Sequence, residues 1–325
     1  MRKLKLSAGI VAAVGAMAAP AMAQTAGEAR QLVGDLHAAF GQHHARAVHA
    51  KGIILEGECS PAPAAKDLSS AAVFSADKIQ VVARFSDFTG IPDIPDTSDN
   101  ANPRGFAIKL KAGQGGDLDI VAHSFNGFPT ATAHEFGDLL QALAASANSK
   151  DKPSPVEKFL VGHPIAKTFL TTQKPPPESY ATTAYFGVNS IAATSVAGKR
   201  TYLRFRFMPK AGEHYLDAAA RKSKGPSYLT EEIARRVGSG PVEFDWLAQV
   251  SGPGDKIDDP SIAWPESRPI VKLGTIRLTR VAADQEATDK GLLFMPGNLP
   301  SGMEVADPML TVRNEAYPIS FGERQ

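Results

Sequence analysis

Apolar positions recur along this chain in two rhythms. Ala29, Leu32, Val33, Leu36 and Phe40 fall at helical spacing and predict a helix over 26–44. Four runs then take on the alternating, or branched and aromatic, character of strands, at 52–58, 79–86, 104–111 and 118–122. Between the second and third, GIPDIPDTSDNANP has no apolar period and reads as a loop. Helices are predicted at 133–147, 154–160 and 163–171, after which KPPPES breaks the chain. A second block of strands follows at 184–191, 200–208, 242–250 and 271–280, with a helical stretch at 213–237 inside it. A Gly/Pro loop at 296–302 leads to a short helix carrying Tyr317. Asp307 suits its N-cap, Pro308 its first position, and Pro318 is expected to stop it.

Strands grouped in two blocks, with helices between and after, do not make the regular alternation of a parallel sheet. The expected architecture is α+β: an eight-stranded antiparallel barrel with peripheral helices, closed so that no edge is exposed. A barrel of that size can hold one ligand inside it or against a face. Residues 24–325 are expected to form one such domain.

The start of the chain is of another kind. Arg2, Lys3 and Lys5 precede an Ala-rich apolar run over 6–19 and the small-x-small site Ala21-Met22-Ala23. This predicts an export signal over 1–23 and a mature chain beginning at Gln24, periplasmic or secreted. The run is shorter than the roughly 20 residues of a membrane span. Removing it leaves 32 basic against 34 acidic residues, a balance that argues against nucleic acid or an anionic membrane as partner. Cys59 is the only cysteine, so no intramolecular disulfide can form. A homodimer is compatible with this composition.

Candidate chemistry is sparse and specific. There is no HExxH, CxxC, GxSxG, carboxylate-rich calcium loop or Gly-rich phosphate loop. His43, His44 and His49 are not spaced as a helical metal pair. Arg313 lies four residues before Tyr317, on the same helix face. A fixed guanidinium beside a phenol favours the phenolate, a hard ligand suited to ferric iron. Alone, such a pair is ordinarily a surface contact. A second motif, RAVHAKG over 46–52, places His49 just before a strand.

Together these motifs resemble the haem catalase family. RAVHAKG resembles its distal-histidine motif. ARFSDF (83–88) and NPRGFAIKL (102–110) are similar to its second and third strands, and YFGVNS (185–190) with KRTYLRFRF (199–207) to the hairpin of its second half. DDPSIAWPESRPIVKLGTIRL (258–278) resembles its last strand, and MPGNLPSGMEVADPMLTVRNEAY (295–317) its proximal segment. The motifs run in order from about residue 45 to 317. The chain resembles the small catalase-related peroxidases, without the family's C-terminal helical and flavodoxin-like regions.

The resemblance implies haem b as cofactor, with Tyr317 as the iron ligand, the ligand type known for catalases. It implies that Arg313 supports the phenolate, that Arg46 and Arg84 meet the haem propionates, and that Phe128 packs near the haem. His49 would be the distal acid/base, oriented by Ser86. One departure stands out. The family's distal asparagine aligns with His123, and Asn126 would replace it only if the loop shifted by three residues. The asparagine helps position hydrogen peroxide for disproportionation. Its loss leaves reduction of hydrogen peroxide or organic hydroperoxides by a small external donor as the expected activity, with weak or no catalase activity. A hydroperoxide isomerase or dehydratase, recognisable by a rearranged product without donor, and a non-catalytic haem-binding protein are the alternatives.

Overall fold

The computed structural model describes residues 15–325, so residues 1–14 of the expected export signal lie outside the described residues. The first element, α1 (Gly15–Phe40), ends sooner than its periodicity suggests. Gly41 adopts φ +86° and its N–H reaches the His37 carbonyl at 2.8 Å, a left-handed cap that a side chain would resist. The apolar stripe Ala29, Leu32, Val33 and Leu36 is buried.

The strands are β1 (Gly52–Pro61), β2 (Ile79–Ser86), β3 (Gly105–Lys111), β4 (Leu118–His123), β5 (Tyr185–Thr194), β6 (Arg200–Pro209), β7 (Val242–Val250) and β8 (Ile270–Val281). They pair in the order β4-β3-β2-β1-β8-β7-β6-β5, all antiparallel, and a bridge between His123 and Phe186 joins β4 to β5 and closes the barrel. The expected α+β barrel is therefore the observed one. Its interior is filled with rings: Phe85, Phe106, Tyr180, Tyr185, Phe205, Phe207, Phe244 and Trp246 are all buried. Each such burial is worth about 1.5–3 kcal/mol, and the offset ring contacts add to it.

Helices α2 (Ala133–Ser146), α3 (Pro155–Gly162) and α4 (Pro164–Thr171) pack outside the barrel. The stretch expected as one helix at 213–237 is two, α5 (Ala218–Ser223) and α6 (Tyr228–Ser239). Gly225-Pro226 interrupts it, glycine by its freedom and proline by its missing N–H. Two short elements had no sequence signal: α7 (Gln285–Gly291), and β9 (Met303–Val305), which adds to the end of β5.

The last helix, α8 (Met309–Gly322), corrects the sequence reading at both ends. It starts one residue late, with Pro308 in the cap position, although Asp307 Oδ1 still accepts the Met309 N–H at 3.0 Å. It also runs through Pro318. Proline costs the helix a hydrogen bond, but tertiary contacts hold the following turn. Ser320 Oγ accepts the Ala47 N–H at 3.1 Å, and Ile319 packs on the cluster shared with α1 and α2.

Candidate haem site

A cavity of about 1330 Å³, counting its open mouth, lies between the wall of β2–β4 and the helices α1, α2 and α8. Its lining is largely apolar, and the polar side chains converge on three places.

The first is a row across the barrel. Pairing aligns Gly52, Ser86, Gly105 and His123 on successive strands β1 to β4. His49 arrives from the loop before β1 and lies over the middle of this row. Its Nδ1 is 3.0 Å from Ser86 Oγ, and its ring meets Phe88 edge-on at 5.6 Å. A Cβ at Gly105 would sit 2.7 Å from His49 Nδ1 and 2.3 Å from Ser86 Oγ, so only glycine leaves room for the ring. His49 has φ +59°, a conformation costly for a residue with a side chain. Its N–H donates to the Phe88 carbonyl at 2.9 Å, and its carbonyl accepts from Arg84 at 2.8 Å. Burial pushes the His49 imidazole down to about 3, with His123 and Arg84 adding to the effect. Burial and Arg313 bring His123 to about 3 as well.

His123 lines the cavity beside Phe128, its ring 6.3 Å from that phenyl. Its Nδ1 accepts the Phe125 N–H at 3.4 Å, while its Nε2 is buried without a partner. Asn126, the alternative for this position, points away and donates to Glu266 at 3.1 Å.

The second place is α8. Arg313 Nε donates to the Tyr317 hydroxyl oxygen at 3.0 Å, and a second guanidinium nitrogen reaches the same oxygen. The remaining nitrogen donates to Asn189 Oδ1 at 2.6 Å, and Asn189 Nδ2 donates to Asp307 Oδ2 at 2.7 Å. A buried carboxylate thus fixes the amide, the amide fixes the guanidinium, and the guanidinium is held against the phenol oxygen.

The third is a cluster of arginines. Arg84 Nε donates to Asp289 Oδ1 at 2.6 Å and Arg46 Nη2 to the same oxygen at 3.0 Å. Arg324 donates to the Asp289 and Leu292 carbonyls. Burial, with Arg84 close by, pushes the Arg46 guanidinium down to about 9. Burial works against the Asp289 carboxylate, but Arg84 and Arg46 hold it below its ordinary value. Two guanidiniums bond the one carboxylate and a third is held on backbone carbonyls beside it, which leaves the cluster two positive charges in excess.

These features fit a haem. A largely apolar cavity has a phenol oxygen backed by a cation on one side, two imidazoles on another, and an excess of two positive charges matching two propionates. The structure brings together the expected His49, Ser86, His123, Arg46, Arg84, Phe128, Arg313 and Tyr317; all eight line the cavity. Sequence reasoning missed Arg324, Asp289, Gly105, Asn189 and Asp307 as site residues. Arg324 lies in the turn just after α8, two residues beyond Gly322, so helical spacing from Tyr317 could not place it. Asp289 had no signal, since its part depends on α7 folding back over the start of β1.

Comparison with known proteins agrees with this geometry. The family model for catalase matches residues 34–324. A catalase-related peroxidase of Mycolicibacterium paratuberculosis is 32% identical over 279 residues, covering 85% of this chain and 87% of that protein. One from Synechococcus elongatus is 31% identical over 323 residues, covering 98% and 94%. A solved fungal catalase superposes with a TM-score of 0.77 at 20% identity, over 86% of this chain and 59% of its own, which bears on the fold alone. On the match over most of its length, and on the level of identity to these relatives, the chain belongs to the catalase family.

Proposed function

We propose that the protein is an exported, haem b-dependent peroxidase. It reduces hydrogen peroxide or organic hydroperoxides with electrons from a small external donor, and has weak or no catalase activity. The observation that carries this reading is the pair of neutral imidazoles, His49 and His123, on the wall where the family places a histidine and an asparagine.

Bound haem supplies an iron centre that accepts the two oxidising equivalents of a peroxide. Tyr317 would hold the iron as phenolate with Arg313 neutralising it, and Arg46, Arg84 and Arg324 would hold the propionates. The protein's own chemistry is proton handling. With Nδ1 engaged by Ser86, His49 offers Nε2 as a base that takes the peroxide proton and returns it to the leaving oxygen. Being neutral down to about pH 3, it is ready for this at any ordinary pH. His123 has the opposite polarity. Its Nδ1 accepts a backbone N–H, so its proton sits on Nε2, a buried donor without a partner. One imidazole accepts and the other donates, which suffices for reducing a peroxide.

Disproportionation needs a second peroxide positioned as a reductant, and the bulky imidazole ring takes the place of the smaller carboxamide that does this. The apolar walls, including Val121, Phe128 and Phe136, suit an organic hydroperoxide. Export is supported by the basic, apolar, small-residue order of residues 2–23. The test is oxygen release from hydrogen peroxide alone against oxidation of an aromatic donor by the haem-loaded protein. Donor oxidation should dominate; brisk oxygen release without donor turnover overturns the reading.

A further inference from the structure

The barrel core holds an ionisable cluster that peroxide reduction does not use. Arg104 and Asp87, both 0% exposed, form a buried ion pair. Asp87 Oδ1 also accepts the Tyr180 hydroxyl at 3.0 Å, while Oδ2 is buried without a partner. Tyr180 is itself 0% exposed and lies at one end of a stack of three nearly parallel rings. Its ring is 5.3 Å from Phe85 at 8°, and Phe85 is 4.5 Å from Phe106 at 7°. Phe106 lies on β3 between Gly105 and Ala107 in the cavity wall, with its ring packed in the barrel interior. The stack therefore leads from the strand that walls the proposed haem cavity to a phenol hydrogen-bonded to a buried carboxylate.

We propose that Tyr180 is an internal redox site, giving an electron to the cavity through Phe85 and Phe106 and its proton to Asp87. The inference rests on the peroxidase reading, whose peroxide-oxidised haem is the oxidant. The step balances. Tyr180 loses one electron and one proton and becomes a neutral tyrosyl radical. The electron reduces the oxidised cofactor by one equivalent, and the Asp87 carboxylate becomes a carboxylic acid. An external donor later returns one electron while Asp87 returns the proton.

Tyr185 lies against the same rings and Trp246 one ring further, and the proton acceptor separates both from Tyr180. Tyr185 is 5.0 Å from Phe106 but donates to the Tyr180 backbone carbonyl, which is no base. Trp246 is 6.5 Å from Phe207, which meets Phe106, and its indole N–H has no partner. A buried radical cation is costly without somewhere for the proton to go. Only Tyr180 of the three has a carboxylate in reach. Burial pushes the Asp87 carboxyl up to about 6, with Arg104 opposing and Asp96 assisting, which makes it a stronger base than an ordinary carboxylate. Burial also keeps the Tyr180 phenol protonated, so its electron and proton must leave together.

The experiment is freeze-quenched electron paramagnetic resonance of the haem-loaded protein after one equivalent of peroxide, without donor. The protein is made with ring-deuterated tyrosine to identify a tyrosyl signal. The signal should appear in the wild type, persist in Tyr185→Phe and be lost in Tyr180→Phe. Asp87→Asn, which removes the proton acceptor, should lose it too and serves as the second variant should Tyr180→Phe fail to fold. An undiminished tyrosyl signal in Tyr180→Phe or Asp87→Asn, loss in Tyr185→Phe alone, or no protein radical while the haem spectrum shows reaction with peroxide overturns the inference. Absence of any haem reaction with peroxide sinks the peroxidase reading itself, and this one with it.

Discussion

The two sides of the cavity are built by opposite means. The Tyr317 side comes from one helix and is charged: Arg313 reaches Tyr317 within a single turn, and a relay through Asn189 ends on the buried Asp307. The His49 side is assembled from a loop and three strands and is electrically neutral, both imidazoles having been pushed down to about 3. The physical reason is dielectric. A cation bonded to a phenol oxygen and tied to a buried carboxylate through an amide is stable as a unit. A histidine with only a hydroxyl or an amide N–H for company loses its charge on burial. One side is thus suited to holding a charged centre and the other to moving protons beside it.

The comparison breaks most severely if the charged side is not what holds the cofactor. Tyr317→Phe removes the oxygen at the end of the relay and leaves Arg313 bonded only to Asn189. Loss of haem on gel filtration, or a changed spectrum in what remains bound, is expected. Full retention with the wild-type spectrum contradicts the assignment of Tyr317. His49→Ala is the matching test of the neutral side. Peroxide turnover should fall by about 10²–10⁴, the usual contribution of a positioned acid/base, while haem content stays unchanged. A parallel fall in haem content would mean that His49 holds the cofactor and not the proton.

A smaller change sharpens the contrast within the neutral side. His123→Asn restores the carboxamide that the family resemblance leads one to expect. Oxygen release from hydrogen peroxide should rise by about tenfold, corresponding to about 1.4 kcal/mol in the barrier. Aromatic donor oxidation should change less. If oxygen release does not rise, His123 is not what separates this chain from a disproportionating enzyme.

Legibility in the sequence follows the same division. Tyr317 and Arg313 could be read from local spacing, because a helical turn carries the whole relation. The barrel strands could be read from period and composition, because each strand has one face on an aromatic core. What depends on register could not be read. Nothing in the string says that Gly105 lies between Ser86 and His123, or that Asp289 will meet Arg46 and Arg84. Asn189 stood inside a quoted motif, yet its bond to Arg313 spans 124 positions. The expectation that Pro318 ends the last helix hid Arg324, since only the further turn after Pro318 brings the chain end back over the site. His49 and His123 were found only through the family resemblance; neither has a local pattern of its own.

The smallest expected effect is on pH dependence, and it bears directly on the neutral character of the His49 side. An unperturbed histidine titrates near 6.5. If His49 behaved so, its basic form would be lost as pH fell through that value, and the peroxide step would slow about fivefold from pH 6.5 to 5.5 and approach about tenfold per unit below that. With the group brought down to about 3, the neutral base is complete well below pH 5 and the acid limb moves out of range. The rate of reaction with peroxide, followed by stopped flow between pH 5 and 8, should change by less than about twofold. The sign of any deviation is informative. A slower step toward pH 5 places a proton on His49 or His123 and means that water reaches them. A faster step toward pH 5 assigns the rate to a group that must be protonated, which neither imidazole supplies.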